Sequence, residues 1–213
     1  MSKTTLHYIY DPMCGWCYGA APLIEAARDI FPIQAHAGGM MVGSQRRAVT
    51  PQLREYVVEH DKRIAQLSGQ PFGDAYVIGL LNDPRAVLDS EPPITAILAA
   101  EQIAAQGLAL LARLQKAHYV EGRHVADQDV LADLAADIGM NRGRFSQAYN
   151  EVRGPATMAH IAATRALMAR LGAGGFPTFA LEHDQTFTRL DTAPYLGRPD
   201  AWRAFLNNHR TTS

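Results

Sequence analysis

TLHYIYDPMCGWC, residues 5–17, is the stretch that decides the fold. Its first six residues, Thr5–Tyr10, are rich in β-formers and are stopped by Asp11-Pro12, so they read as a strand. Past the cysteines, Trp16, Ala20, Ile24, Ala27 and Phe31 recur at helical spacing until Pro32 closes the run. Ile33–Ala37 follows as a second strand-like piece, ended by Gly38-Gly39. A strand–helix–strand unit of this length joins parallel strands by a right-handed crossover. Cys14 and Cys17 therefore stand at the step from strand to helix, and their spacing puts both sulfurs on one helical face, where they can form a disulfide.

These are the two cysteines of a 213-residue chain, which is long enough to bury a core without covalent staples. A disulfide across two intervening residues closes too small a loop to stabilise much through chain entropy, so the pair points to reactivity. At the helix N-terminus, unpaired backbone N–H groups and the macrodipole favour negative charge, which makes the Cys14 thiolate available as nucleophile. Cys17, one turn further in, is expected to attack the mixed disulfide on Cys14 and release the product. The competing use is half of a zinc site, which needs two further ligands. His7, His36 and His183 are candidates, but none has metal-ligand spacing to the pair, so redox chemistry is the better account and no metal is expected.

The rest of the chain is consistent with a globular α/β protein. Hydrophobic residues make up 47% and charged residues 19%, which excludes a disordered chain. A net charge of −1 without a basic stripe argues against nucleic acid, and no run approaches the roughly 18 apolar residues of a membrane span. No export signal can be read: Lys3 gives one positive charge, but the apolar Leu6–Tyr10 contains His7 and ends at Asp11. The expectation is a cytoplasmic protein. The middle reads as helical, with Leu53, Tyr56, Val57, His60, Ile64 and Leu67 on one face of a helix ended by Ser68-Gly69. Further helices are expected near 94–106, 108–120, 130–138 and 145–152, with Glu91-Pro92-Pro93 as a loop. A helix through Met158–Leu171, strands at Thr178–Leu181 and Thr186–Leu190 turning at His183-Asp184, and a closing helix at Ala201–Asn208 complete the pattern. Residues 1–40 and 156–213 form one α/β domain around a helical insertion at 41–155.

These residues resemble the thioredoxin superfamily, and within it the DsbA-like group that includes FrnE-like disulfide oxidoreductases. The resemblance rests on the strand–C-x-x-C–helix unit with Asp11 before it and Tyr18-Gly19 after it, and on Pro22, where such proteins kink the active-site helix. It rests also on Phe176-Pro177-Thr178, placed before the last two strands like the family's cis-proline loop, and on the helical insertion itself. It implies a thioredoxin-like fold with a large all-helical insertion, and a thiol–disulfide oxidoreductase acting on protein or peptide disulfides. It implies no organic cofactor, but a reductant such as glutathione or another thiol. A cis Pro177 would leave the Phe176 backbone free to pair with an extended substrate, so Gly15, Trp16, Phe176 and Pro177 are the candidate substrate contacts. The segments Gly39-Met40-Met41 and Tyr195-Leu196-Gly197 should lie at the same end of the sheet, and Arg46-Arg47 and Arg142/Arg144 read as solvated charges.

Gly15-Trp16 departs from the Pro-His of DsbA and brings no cation between the cysteines, which points to a reductase or isomerase instead of a strong oxidant. The rival is a glutathione-dependent transferase or isomerase resembling kappa-class glutathione transferases and 2-hydroxychromene-2-carboxylate isomerase. Its reaction would have no use for Cys17. A non-catalytic binding module would need neither cysteine.

Overall fold

The structure is a computed structural model that describes residues 4–211; Lys3 lies outside them. β1 (Thr5–Tyr10) leads through α1 (Gly15–Gly19) and α2 (Ala21–Ala27) to β2 (Ile33–Ala37). A small two-stranded sheet, β3 (Arg47–Ala48) and β4 (Val87–Leu88), brackets α3 (Pro51–Ser68). Then come α4 (Glu91–Ala104), α5 (Gly107–Tyr119), α6 (Gln128–Asp137), α7 (Arg142–Val152) and α8 (Pro155–Arg170). The hairpin β5 (Thr178–His183) and β6 (Thr186–Leu190) and the helix α9 (Pro199–Thr211) end the chain.

The main sheet has the order β2-β1-β5-β6. β1 pairs parallel with β2, Leu6 opposite Ile33 and Tyr10 opposite Ala37, and antiparallel with β5, Tyr8 opposite Phe179. Covered on both faces, β1 is buried from Leu6 to Tyr10, which is why its sequence is nearly continuous in apolar and aromatic residues and does not alternate. The hairpin turns at Asp184 and Gln185, both with positive φ, the backbone twist that a two-residue connection needs. α9 docks on α2 through Trp202, which is wholly buried, donates its indole N–H to the Leu23 carbonyl at 3.1 Å and meets the edge of Phe179.

One buried cluster runs through the whole chain, from Leu6, Cys17 and Phe179 to Ile94, Leu134 and Phe145 on the helices. A division into 1–40 with 156–213 and 41–155 is therefore proposed as a division of chain topology, while the core is shared. A second cluster ties the insertion to the cysteine helix: Tyr18 of α1 stacks on Tyr119 of α5 with centroids 4.8 Å apart, and its hydroxyl donates to the Pro71 carbonyl at 2.8 Å.

Three local expectations are corrected. The run Trp16–Phe31 is two helices and a turn, because α1 stops at Gly19 and Pro22 enters α2 in its first turn. Pro22 has no N–H for the Tyr18 carbonyl four residues back, and the Gln70 side-chain amide donates to that carbonyl instead, at 3.2 Å. Glu91-Pro92-Pro93 is the first turn of α4, where a proline's missing N–H costs nothing. On α3 the buried residues are Asp61, Ile64 and Ser68, whereas Tyr56 and Leu67 are exposed. Thr50 caps that helix by accepting from the Leu53 N–H, and Gly69 ends it in the left-handed conformation.

Replacing Trp202 by Ala should cost about 3–5 kcal/mol, read as a lowered urea midpoint, since it leaves a cavity between α9, α2 and the sheet.

Candidate active site

The turn Asp11–Cys14 places the cysteines. The Asp11 carbonyl accepts the Cys14 N–H at 3.2 Å, and its carboxylate Oδ1 accepts the Met13 N–H at 2.8 Å. Cys14 occupies the N-cap of α1, with its carbonyl accepting from the N–H groups of Cys17 and Tyr18. Both cysteines are free thiols. Cys14 retains 6% exposure and Cys17 none, so only the first has a face toward the surface. Burial pushes the Cys17 thiol well above its ordinary range, and its hydrogen bond with the Cys14 thiol adds to this. The Asp11 N–H donates to Cys17 Sγ at 3.5 Å.

Opposite the pair lies the Phe176–Pro177 bond, which is cis, as the family resemblance led us to expect. The Cys14 thiol donates to the Phe176 carbonyl at 3.6 Å. That orientation depends on Gly38, where any Cβ would overlap the Phe176 ring; the ring fills the missing side chain and the carbonyl is left facing Cys14. Thr178 Oγ1 donates to the Gly175 carbonyl at 2.8 Å and closes the loop.

The Asp11 carboxylate is a hub. Oδ1 also accepts the Ser90 hydroxyl at 2.9 Å, and Oδ2 accepts the Met40 N–H at 2.5 Å. Ser90 in turn accepts the Met41 N–H at 3.0 Å. Arg165 of α8 grips the carbonyls of Gly38 and Gly39 at 3.1 and 2.6 Å. Burial raises the Asp11 pKa, and these donors and Arg165 oppose the rise. Asp11 drew notice in the sequence only through the family likeness; Ser90 and Arg165 carried no local signal at all.

Trp16 separates two openings. On one side is a groove of ≈ 610 Å³ bounded by Phe176, Pro177, Arg189, Asp191 and Leu196. On the other is a cavity of ≈ 370 Å³ whose wall holds Cys14, Gly15, Met40 and Met41 and whose far side comes from α3 and α5. Arg46 and Arg47 are exposed, as the sequence suggested; Arg47 also lines this cavity, and Arg46 pairs with Asp89 at 2.7 Å. The four candidate contacts Gly15, Trp16, Phe176 and Pro177 are thus brought around Cys14. His7 and His36 are not; they bond to each other at 2.9 Å, with His7 also bonded to Glu182. His183 bonds to Thr4.

Inside the cavity lies a residue that no motif or spacing singled out. Asp61 is 5% exposed and accepts the Tyr76 hydroxyl on Oδ2 at 2.9 Å. Its Oδ1 lies 2.8 Å from where a Cβ on Gly15 would stand, so a glycine between the cysteines lets α3 approach. Burial pushes the Asp61 carboxyl up to about 7, against the opposing Tyr76 hydrogen bond. Nearby His118 is buried with Nδ1 unpartnered and is held down to about 3 by that burial.

Comparison with known proteins places this geometry. The model of the DSBA-like thioredoxin domain matches residues 5–194. The cytosolic disulfide reductase DsbM from Pseudomonas aeruginosa is 53% identical and superposes with a TM-score of 0.93, covering 98% of this chain and 100% of that one. A structure of the same reductase with GSH is 52% identical over 96% of this chain and 98% of that one, with a TM-score of 0.90. A 2-hydroxychromene-2-carboxylate isomerase shares the fold at 15% identity and a TM-score of 0.61, over 98% of both chains. No curated protein matches.

Asp61 yields a sign-specific prediction. Its folded pKa of about 7 lies above the unfolded value of roughly 3.9, so the fold holds the extra proton between them and loses stability as pH rises through that window. Asp61→Asn should therefore be more stable than wild type at pH 8, by roughly 2–4 kcal/mol in urea denaturation, with the advantage shrinking as pH is lowered toward 4.

Proposed function

This chain belongs to the DSBA-like thioredoxin domain family, and on that premise we propose how its two cysteines divide the work of a thiol–disulfide oxidoreductase. The enzyme is of the reductase type, acting on protein or peptide disulfides. Cys14 is the attacking thiol and Cys17 the resolving one. A single observation carries this assignment: Cys14 has an outer face and lies against the Phe176 carbonyl, while Cys17 is sealed behind it.

In the forward direction the Cys14 thiolate attacks a substrate disulfide, one sulfur–sulfur bond breaks, and one substrate thiolate leaves. The substrate remains joined to Cys14 through a new disulfide. Cys17 keeps its proton in the dithiol form, because burial raises its pKa. On losing that proton it attacks Cys14 Sγ, expelling the second substrate thiol and leaving a Cys14–Cys17 disulfide. Two electrons have passed from the pair to the substrate. During the mixed-disulfide stage, the backbone at Phe176 and the faces of Trp16 and Pro177 hold the extended chain of the substrate in the groove.

Two glutathione molecules return the pair to the dithiol in our scheme; the related reductase from Pseudomonas aeruginosa has a structure with GSH. That relative is cytosolic, and we assign this chain to the same reducing compartment, where a dithiol is maintained and a strong oxidant would idle. Among the described residues no helix is long and apolar enough to cross a membrane. Gly15-Trp16 supplies no cation to stabilise the reduced thiolate, in keeping with a reducing pair. The isomerase with the same fold shares it at 15% identity, too little to carry its reaction to this chain.

Cys14→Ser should abolish disulfide exchange. Cys17→Ser should instead accumulate long-lived mixed disulfides, visible by mass spectrometry of the acid-quenched protein; adducts on Cys14→Ser alone would reverse the roles. Equilibration against graded glutathione buffers with thiol trapping should give a potential nearer roughly −270 mV than roughly −120 mV. The latter result would mark an oxidase.

A further inference from the structure

We infer that the cavity beside Cys14 takes small disulfides bearing an ammonium group two carbons from sulfur, and that Asp61 is the residue that binds the ammonium. This rests on the reading of Cys14 as the attacking thiol and adds the charge of the substrate.

Buried carboxylates are ordinarily paired with a cation or fully hydrogen-bonded. Asp61 is neither. Tyr76 satisfies Oδ2, while among the described residues Oδ1 accepts no hydrogen bond and no ion pair reaches the carboxylate. α1 brings Cys14 and Gly15, the turn after α3 brings Tyr76, and α5 brings His118 and Tyr119. His118 is buried and neutral at pH 7, so it supplies no charge. Arg47 of β3 lines the cavity and His60 of α3 stacks edge-on against Tyr56 at 4.3 Å, but neither forms an ion pair with Asp61.

A cation from outside can supply that partner, and the surroundings suit one. Tyr76 and Tyr119 line the same cavity, and aromatic rings attract positive charge. Met13, Met40 and Met41 give an apolar wall for the carbon chain, while Arg47 lines the same cavity without an ion pair to Asp61. Placement fits as well: Asp61 Oδ1 abuts Gly15, the residue next to Cys14, so in a mixed disulfide the substrate sulfur is bonded to Cys14 Sγ and its two-carbon chain carries the ammonium into the cavity that Oδ1 borders. With 2-aminoethyl disulfide, Cys14 attacks one sulfur, releases one aminothiol and keeps the other as a mixed disulfide whose ammonium rests on Asp61. Cys17 then loses its proton, displaces the second aminothiol and closes the Cys14–Cys17 disulfide. The substrate gains the two electrons that the pair loses, and glutathione re-reduces the pair.

The test measures how fast the reduced protein is oxidised by 2-aminoethyl disulfide, by the neutral 2-hydroxyethyl disulfide and by the anionic 3,3′-dithiodipropionate. Each rate is divided by the rate with dithiothreitol, which removes intrinsic reactivity. Wild type should prefer the cationic disulfide over the neutral one, increasingly from pH 6 to 8, and the anionic one should be slowest. Asp61→Asn should reduce the cationic-to-neutral ratio by about tenfold or more, the scale of a lost hydrogen bond to a charged group. An unchanged ratio overturns the inference, whereas exchange of all three disulfides by Cys14→Ser overturns the underlying assignment of the cysteines. A second measurement needs no variant. The unreactive 2-(methylthio)ethylamine should protect wild-type Cys14 from iodoacetamide and 3-(methylthio)propionate should not; equal protection, or none, also overturns it.

Discussion

A single buried carboxylate, that of Asp11, is the constraint on which the site depends. It accepts from Met13 in the cysteine turn, from Met40 after β2 and from Ser90 at the head of α4. Each of these segments would otherwise carry a buried polar group without a partner, at a cost of a few kcal/mol. Concentrating three donors on one carboxylate offsets part of its desolvation and ties together the segments after β1, after β2 and before α4. Arg165 completes the arrangement from α8 by holding the two glycine carbonyls that precede Met40.

From this follows the asymmetry of the cysteines. The turn that Asp11 organises sets Cys14 at the head of α1, and helical geometry carries Cys17 inward beneath Tyr8, whose hydroxyl donates to the Cys17 carbonyl at 3.4 Å. Two close approaches then seal the pair from either side. Phe176 fits over Gly38 and turns its carbonyl to Cys14, while α3 leans against Gly15. Both need the absence of a Cβ, so the glycines here serve packing, and neither has a positive φ.

The segment 41–155 also lines the cavity beside the cysteine pair. It closes one side of Trp16 with Asp61, Tyr76 and His118, and leaves the other side open as a groove along the proline loop. A carboxyl held near neutrality by burial is a poor contributor to stability, which is a familiar pattern where a group is kept for binding or catalysis.

Local pattern was enough to read the strand–C-x-x-C–helix unit, the terminal hairpin, most helices and the family likeness. Each depends on residues close in sequence: β-formers before Asp11-Pro12, apolar spacing along the helices, and a turn expected at His183-Asp184 that the structure sets one residue later, at Asp184-Gln185. Periodicity failed where chemistry overrode it, as at Pro22, which splits a regular apolar run, and on α3, where Asp61 is buried and Tyr56 exposed. Tertiary structure alone decided that Ser90 and Arg165 serve the cysteine turn, and that Arg47, Asp61 and His118 line one cavity beside Cys14. Those residues act through partners far along the chain, and whether a carboxyl is paired, or a histidine satisfied, depends on which groups folding brings within hydrogen-bonding distance, a quantity that sequence spacing does not contain.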